Sequence, residues 1–319
     1  MSIDILAVDT DEALVFWEDS PHASSFTHPL VLSKLAHKVD WWMAKKGHRP
    51  LCLWPISINE DRSMILPDLT YYVGPMWSKA SANMPVHRWL SRSSEVYEGF
   101  ISQFLVNYGT IQACLPKGLL DVRIFDWWNY HQPEKPKFII RPRYTACIYD
   151  LDNKSKEEIV SDYRQLRRRE LRKIEKFGVP PRAHQCAADD LIKLYADVMG
   201  LLEGEIGTQK TKLIHQLINL VHDGFGEVIA FEDTVPGQIA AACLILFDQY
   251  QANMILNLVA TDWKNTGLPA LMITESIFSA KSHGLNCFDF NGANSPLRGD
   301  DKHSYGAIPD LFFDISYPG

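Results

Sequence analysis

The stretch 254–306 constrains the chain more than any other. It opens on Met254-Ile255-Leu256-Asn257-Leu258-Val259-Ala260, an apolar run of the kind that forms a buried strand. A polar break follows at 261–266. Gly267-Leu268-Pro269-Ala270 then begins a pattern that sets Ala270, Ile273, Ile277 and Ala280 on one helical face. Proline is tolerated there because its missing N–H falls in the first turn. Gly284 is placed to end the helix in the left-handed conformation. Cys287-Phe288-Asp289-Phe290 reads as a second short strand that delivers Asn291 and Gly292 to its end, before Lys302-His303-Ser304-Tyr305-Gly306. The order is strand, glycine turn, helix, strand, polar aromatic segment.

A glycine turn that opens a helix directly after a strand presents free backbone N–H groups and a partial positive charge, which suits a diphosphate. Many such turns bind nothing, so the turn alone favours a structural role.

At these residues the chain resembles the second half of a GNAT acyltransferase domain, in the variant found in FemAB-like proteins. In that family the strand exposes its backbone to pantetheine and the glycine turn holds the coenzyme A diphosphate. The resemblance therefore implies a coenzyme A site at Leu258, Val259, Ala260, Lys264, Asn265, Thr266, Gly267, Leu268 and Ala270, with Lys302 from the later motif. The turn departs from the usual pattern: Pro269 stands where a second Gly or Ala is usual, and Lys264 where Gln or Arg is usual.

At 319 residues the chain exceeds a usual single core, and two domains are expected, 1–150 and 151–319. The net charge of −7 argues against broad nucleic-acid binding and against a polybasic membrane patch. No apolar run reaches membrane-spanning length and the start lacks a basic, apolar leader, so a cytoplasmic protein with no membrane span is expected. The cysteines, Cys52, Cys114, Cys147, Cys186, Cys243 and Cys287, have neither zinc nor redox spacing, and buried free thiols without a metal are expected.

The first half reads as helix at 11–20, strands at 41–45 and 50–58 joined by a hairpin turn, a third strand at 69–74, a long helix at 86–108 and a strand at 138–151. This mixture, with Ser24-Ser25-Phe26 and Tyr71-Tyr72-Val73-Gly74-Pro75, is similar to the N-terminal domain of FemAB-like proteins, a GNAT-like domain without the coenzyme turn. Periodicity by itself gives α+β. With the resemblance, the expected fold is two tandem GNAT-like (acyl-CoA N-acyltransferase) domains, each a mixed, mainly antiparallel sheet flanked by helices, with the active cleft between them.

After a polar linker at 150–155 a single helix is expected over 156–177, ended by Gly178. It carries the densest basic run of the chain, Arg164, Arg167, Arg168, Arg169, Arg172 and Lys173. One reading is a solvated face with ion pairs to Asp162, Glu170 and Glu175. The other is an anion site: Arg168 and Arg172, one turn apart, suit a substrate diphosphate. Trp127-Trp128 lies in a loop where stacking on a nucleotide base, or packing, is possible. The acidic segment 203–207 is expected to be a loop between helices.

A thioester already carries its activation, so the protein must hold an amine against the carbonyl, stabilise the oxyanion and accept protons. Asp289 is the candidate base, Asn291 a candidate to orient the amine, and His303 a substrate-side candidate. Tyr305 resembles the GNAT aromatic residue that returns a proton to the leaving thiolate; a core aromatic is the other reading. The resemblance implies transfer of an acetyl or hydroxyacyl group from coenzyme A to a nucleotide-linked amino-deoxysugar, such as a dTDP- or UDP-linked 3-amino-3,6-dideoxyhexose of surface polysaccharide biosynthesis. Two alternatives stay open: a FemAB-type tRNA-dependent aminoacyl transferase acting on a peptidoglycan precursor, and a non-catalytic binding protein on a GNAT scaffold.

Overall fold

The computed structural model describes residues 2–202, 205–295 and 301–318. In chain order the first elements are β1 (Asp4–Val8), α1 (Thr10–Asp19), α2 (Pro29–Leu35), β2 (Lys38–Lys46), β3 (Arg49–Ile58), β4 (Met76–Trp77), α3 (Lys79–Ala82), α4 (Val86–Tyr108), β5 (Ile111–Cys114) and α5 (Arg123–Trp127). Then come β6 (Ile139–Ile148), α6 (Lys156–Ser161), α7 (Gln165–Phe177), α8 (Ala188–Met199), α9 (Thr208–His222), β7 (Gly226–Glu232), β8 (Ile239–Phe247), β9 (Gln251–Val259), α10 (Leu268–Ser282), β10 (Cys287–Asp289) and β11 (Ile308–Tyr317). Two compact units result, Met1–Arg143 with Leu311–Gly319, and Tyr144–Asp310. The expected break near 150 is thus replaced by two crossings, inside β6 and inside β11.

In the first unit β1 to β4 form an antiparallel sheet in sequence order, and β5 pairs antiparallel with β11. Its core gathers around Trp54 of β3. The α4 rings Tyr97, Phe100 and Phe104 meet that indole edge-on at 6.0, 5.5 and 5.1 Å, geometry that favours the aromatic quadrupoles. These residues lie three and four apart on α4, which is why the long helix has one buried face.

In the second unit the strands run β6-β10-β9-β8-β7. β9 and β10 are parallel, joined by α10 as a crossover helix, and the other pairs are antiparallel. The crossover is buried on most sides: Leu268, Ala270, Met272, Ile273, Ile277 and Ala280 are all core residues. A capping box, in which Ser155 accepts from the Glu158 amide and Glu158 from the Ser155 amide, starts α6.

Three expectations are corrected. The segment 69–74 is not a strand, because Leu69 and Tyr72 have left-handed φ of 59° and 58°, and the Tyr72 amide donates to Cys114 Sγ instead of a ladder. The helix expected over 156–177 is two helices, broken where the buried Tyr163 turns into the core and the Arg164 amide donates to the Ser304 carbonyl (2.8 Å). Strands β1, β5 and β11 were not expected. Glu203 and Gly204 of the acidic loop lie outside the described residues.

Candidate functional site

The chemistry-bearing feature of the second unit is an opening between two parallel strands. β10 pairs with β9 only from Cys287↔Gln251 to Asp289↔Asn253. Beyond that point the chain follows β6, with the Phe290 and Ala293 amides donating to Ala146 and Tyr144 (2.9 and 2.7 Å). β9 runs on beside β8 alone. Its divergence coincides with a bulge: Leu244 faces Leu256 and Ile245 faces Met254, leaving Ile255 as the extra residue that bends the strand.

The bulge decides which peptide groups face the opening. The Ala260 amide donates to the Ala240 carbonyl (2.8 Å), and bonding direction alternates along a strand. The peptide groups of Leu256 and Leu258 therefore face β8, while those of Asn257 and Val259 face away from it. Of the expected contact residues Leu258 to Ala260, Val259 turns its peptide groups away from β8, and so does Asn257, which the sequence pattern does not single out.

Asn291 closes the inner end of the opening. It sits at φ 46° and is only 5% exposed. Its Nδ2 donates to the Met254 carbonyl (3.1 Å), and its buried Oδ1 has no hydrogen-bond partner among the described residues. A buried acceptor left without a donor is costly in a folded protein. Asp289 is fully buried beneath it; its Oδ1 accepts from Thr145 Oγ1 and from the Asn291 amide (2.9 Å). That carboxylate fixes the turn carrying Asn291.

Lys302 and Tyr305 have structural partners. Lys302 Nζ donates to the carbonyls of Phe290, Asn291 and Gly292, clasping the same turn. The Tyr305 ring is buried between Tyr163 (5.2 Å), Phe290 (5.9 Å) and the Arg167 guanidinium (5.0 Å), and burial pushes its phenol pKa up. This is the core-aromatic reading. His303 is half-buried with Nδ1 2.8 Å from the Ala307 carbonyl.

At the glycine turn, Gly267 has φ 100°, and a Cβ there would lie 2.3 Å from the Glu170 carbonyl oxygen of α7. Close approach of α7 therefore requires the glycine. Thr266 Oγ1 takes the Leu268 amide (3.2 Å) and Pro269 has none; the Gly267 and Ala270 amides have no partner among the described residues. Lys173 Nζ donates to the Asn265 carbonyl, and Lys264 is exposed. The turn thus has two lysines, Lys173 and Lys264, beside two amides whose residues, Gly267 and Ala270, are buried. A separate cavity of about 620 Å³ is lined by Asp190, Asp197, Asp233 and Asp262, with Lys193 among them.

Of the basic run, Arg167 is committed: it donates to Ser304 Oγ (2.7 Å), to Glu170 (2.6 Å) and to Asp301. Arg168 donates once, to the Ser161 carbonyl (3.3 Å), and its buried Nε has no partner; Arg172 is exposed without an ion pair among the described residues. In the first unit, Trp127 and Trp128 line a cavity of about 330 Å³ with Asn129 and Tyr130. Trp127 is exposed under the Arg123 guanidinium (5.6 Å), and the buried Trp128 Nε1 has no acceptor among the described residues. All six cysteines are free, five of them buried. Among the described residues no side-chain cluster suits a metal ion, and no helix is long and apolar enough to cross a membrane.

No protein-family model matches the chain, and no curated protein matches it. Solved structures do. FemX aligns over 98% of this chain and 96% of its own, with a TM-score of 0.57 at 13% identity. A tandem GNAT protein from the clavulanic acid biosynthesis pathway aligns over 100% and 99%, with a TM-score of 0.52 at 11% identity. A conserved protein of unknown function from Bacteroides thetaiotaomicron VPI-5482 aligns over 99% and 100%, with a TM-score of 0.52 at 12% identity. The chain has an α+β fold of two tandem GNAT-like domains, similar along its whole length to FemX and to a tandem GNAT protein.

Proposed function

We propose that the protein is an acyl-CoA-dependent N-acyltransferase whose acceptor is a nucleotide-linked amino-deoxysugar. The observation that carries the reading is the opening between β9 and β10, with outward peptide groups at Asn257 and Val259 and the orphaned Asn291 Oδ1 at its inner end. Those groups fit an extended amide-bearing chain such as pantetheine. When bound, acyl-coenzyme A would supply a thioester: the amine nitrogen bonds its carbonyl carbon, the C–S bond breaks, and the proton lost by the amine leaves with the coenzyme thiol.

The residues divide the work as follows. The Asn257 or Val259 N–H polarises the acyl carbonyl, a contact that strengthens as negative charge develops on oxygen. Asn291 Oδ1 accepts an N–H of the amine and aims its lone pair; Asp289 acts on Asn291 as a positioning residue, since its carboxylate is buried and already hydrogen-bonded. Lys173 and Lys264 supply the cations that meet the coenzyme diphosphate. Arg168 and Arg172 supply cations for the nucleotide diphosphate.

A second reading, aminoacyl transfer from charged tRNA, is favoured by one observation: Gly267 is packed against α7 and Pro269 removes an amide, so the diphosphate cradle is reduced. Thiol release from acetyl-CoA and 3-hydroxybutyryl-CoA, measured with and without a dTDP-linked 3-amino-3,6-dideoxyhexose, separates the two. Release that requires the amino sugar supports the proposal. No release with either thioester, alongside transfer from an aminoacyl-tRNA, replaces it with the second reading.

A further inference from the structure

The hairpin that joins β2 to β3 places Lys46 directly opposite Arg49 across the Gly47-His48 turn. Like charges facing each other on adjacent strands destabilise a sheet. A bulge at the same place, where Ala44 faces Cys52 but Lys45 faces Pro50, leaves Leu51 as the extra residue and bends the hairpin tip. The first turns of α4 repeat the pattern. Arg88 is the third residue of that helix, where the positive end of the macrodipole disfavours a cation, and Arg92 follows one turn later as a like-charge neighbour.

All of these side chains line one cavity of about 460 Å³, together with His87 and the exposed Ser91. No carboxylate lines it. Among the described residues Arg92 pairs with Glu95 (2.8 Å), whereas Lys46, Arg49 and Arg88 have no ion pair. A chain of net charge −7 has carboxylates to spare for these cations, yet of the four only Arg92 is given one, Glu95. Three unfavourable charge placements that converge on one cavity mark a site that an anion would relieve. The forked donors of Arg49 and Arg88, with the Lys46 ammonium, match phosphate oxygens.

We propose that this cavity is a binding site for a diphosphate-bearing small molecule, formed wholly within the first unit and separate from Arg168 and Arg172. The charge in the cavity exceeds what a single carboxylate neutralises, and its volume admits a diphosphate with part of its ester. Its occupancy does not depend on the acyl-transfer reading.

Isothermal titration calorimetry of the full chain with inorganic pyrophosphate and with dTDP, at low and at 150 mM salt, tests it. Binding that weakens with salt is expected where the cavity is unaltered. The pair Lys46→Ala with Arg49→Ala, and separately Arg88→Ala, should weaken pyrophosphate at least tenfold. All titrations are made in the Arg168→Ala, Arg172→Ala background, so that the cations assigned to the nucleotide diphosphate contribute no heat. Because the cations are mutually repelling, the hairpin pair should not lower the melting temperature of the free protein, so lost binding cannot be put down to unfolding. Undiminished affinity in the hairpin variant overturns the proposal, as does absence of binding to both probes at low salt. Cosedimentation with phosphatidylglycerol vesicles, abolished by the same variants while pyrophosphate and dTDP give no heat, overturns it in favour of an anionic membrane surface.

Discussion

Replacing Gly267 by alanine distinguishes a glycine needed for packing from one needed only for a ligand. The added Cβ would lie 2.3 Å from the Glu170 carbonyl oxygen and 3.2 Å from the Ile174 nitrogen, both backbone atoms of α7 that cannot swing aside. The residue would also hold φ at 100°. Left-handed backbone costs a non-glycine residue roughly 1–2 kcal/mol, and overpacking a core roughly 1–3 kcal/mol. The sum, about 2–5 kcal/mol, corresponds to a fall of roughly 4–20 °C in melting temperature for a unit of this size. Gly284→Ala is the internal control, because its φ is 73° but nothing lies within 4 Å of the new methyl group. Calorimetric melting of both variants without ligand isolates the contact with α7. Equal losses for the two would refute the conclusion that α7 dictates the glycine.

Three further outcomes are expected. His22 and His28 are held neutral, their pKa values lowered from 6.5 to about 4 by burial. Because the unfolded chain binds the proton more tightly, stability is intact above pH 6.5 and is lost as pH falls toward 4. For His22 the loss between pH 7.5 and 5 is about 2 kcal/mol, with a smaller share from the more exposed His28; urea titrations that give the same stability at both pH values contradict this. Asp289→Ala strands the Thr145 hydroxyl and the Asn291 amide and should destabilise by about 2–5 kcal/mol, whereas Asn291→Ala should cut turnover at least tenfold with a loss of only about 1 kcal/mol; equal stability losses would argue against the division of roles. Lys302→Met removes a charged donor from the Phe290, Asn291 and Gly292 carbonyls, so unfolding in urea should show a loss of about 1.5–3 kcal/mol, and an unchanged midpoint would mean the clasp carries no stability.

The elements that read well from sequence are those whose pattern is local. α4 advertises its apolar face at helical spacing, and strand, glycine turn and α10 follow one another in the expected order. What failed depends on residues far apart in the chain. β1 is a half-exposed edge strand without alternation, and β11 carries Pro309, which demotes a run that reads as a strand. The break between α6 and α7 contains neither glycine nor proline; it is set by Ser304, and nothing near Tyr163 announces it. In the site, Asn291 was visible because it ends a short strand. Asn257 was not, because the bulge at Ile255 and the Ala240–Ala260 bond decide which peptide groups turn outward. The cationic cavity of the first unit was invisible because its members come from a hairpin and from a helix that only folding brings together.

Amide hydrogen exchange of the segment 255–260, followed with and without acetyl-CoA, tests the acyl-donor site most directly. Slower exchange at Asn257 and Val259, with little change at Leu258, is expected if the donor lies in the opening between β9 and β10. Unchanged exchange across the segment, at a concentration where thiol release is saturated, would place the donor elsewhere and contradict the assignment.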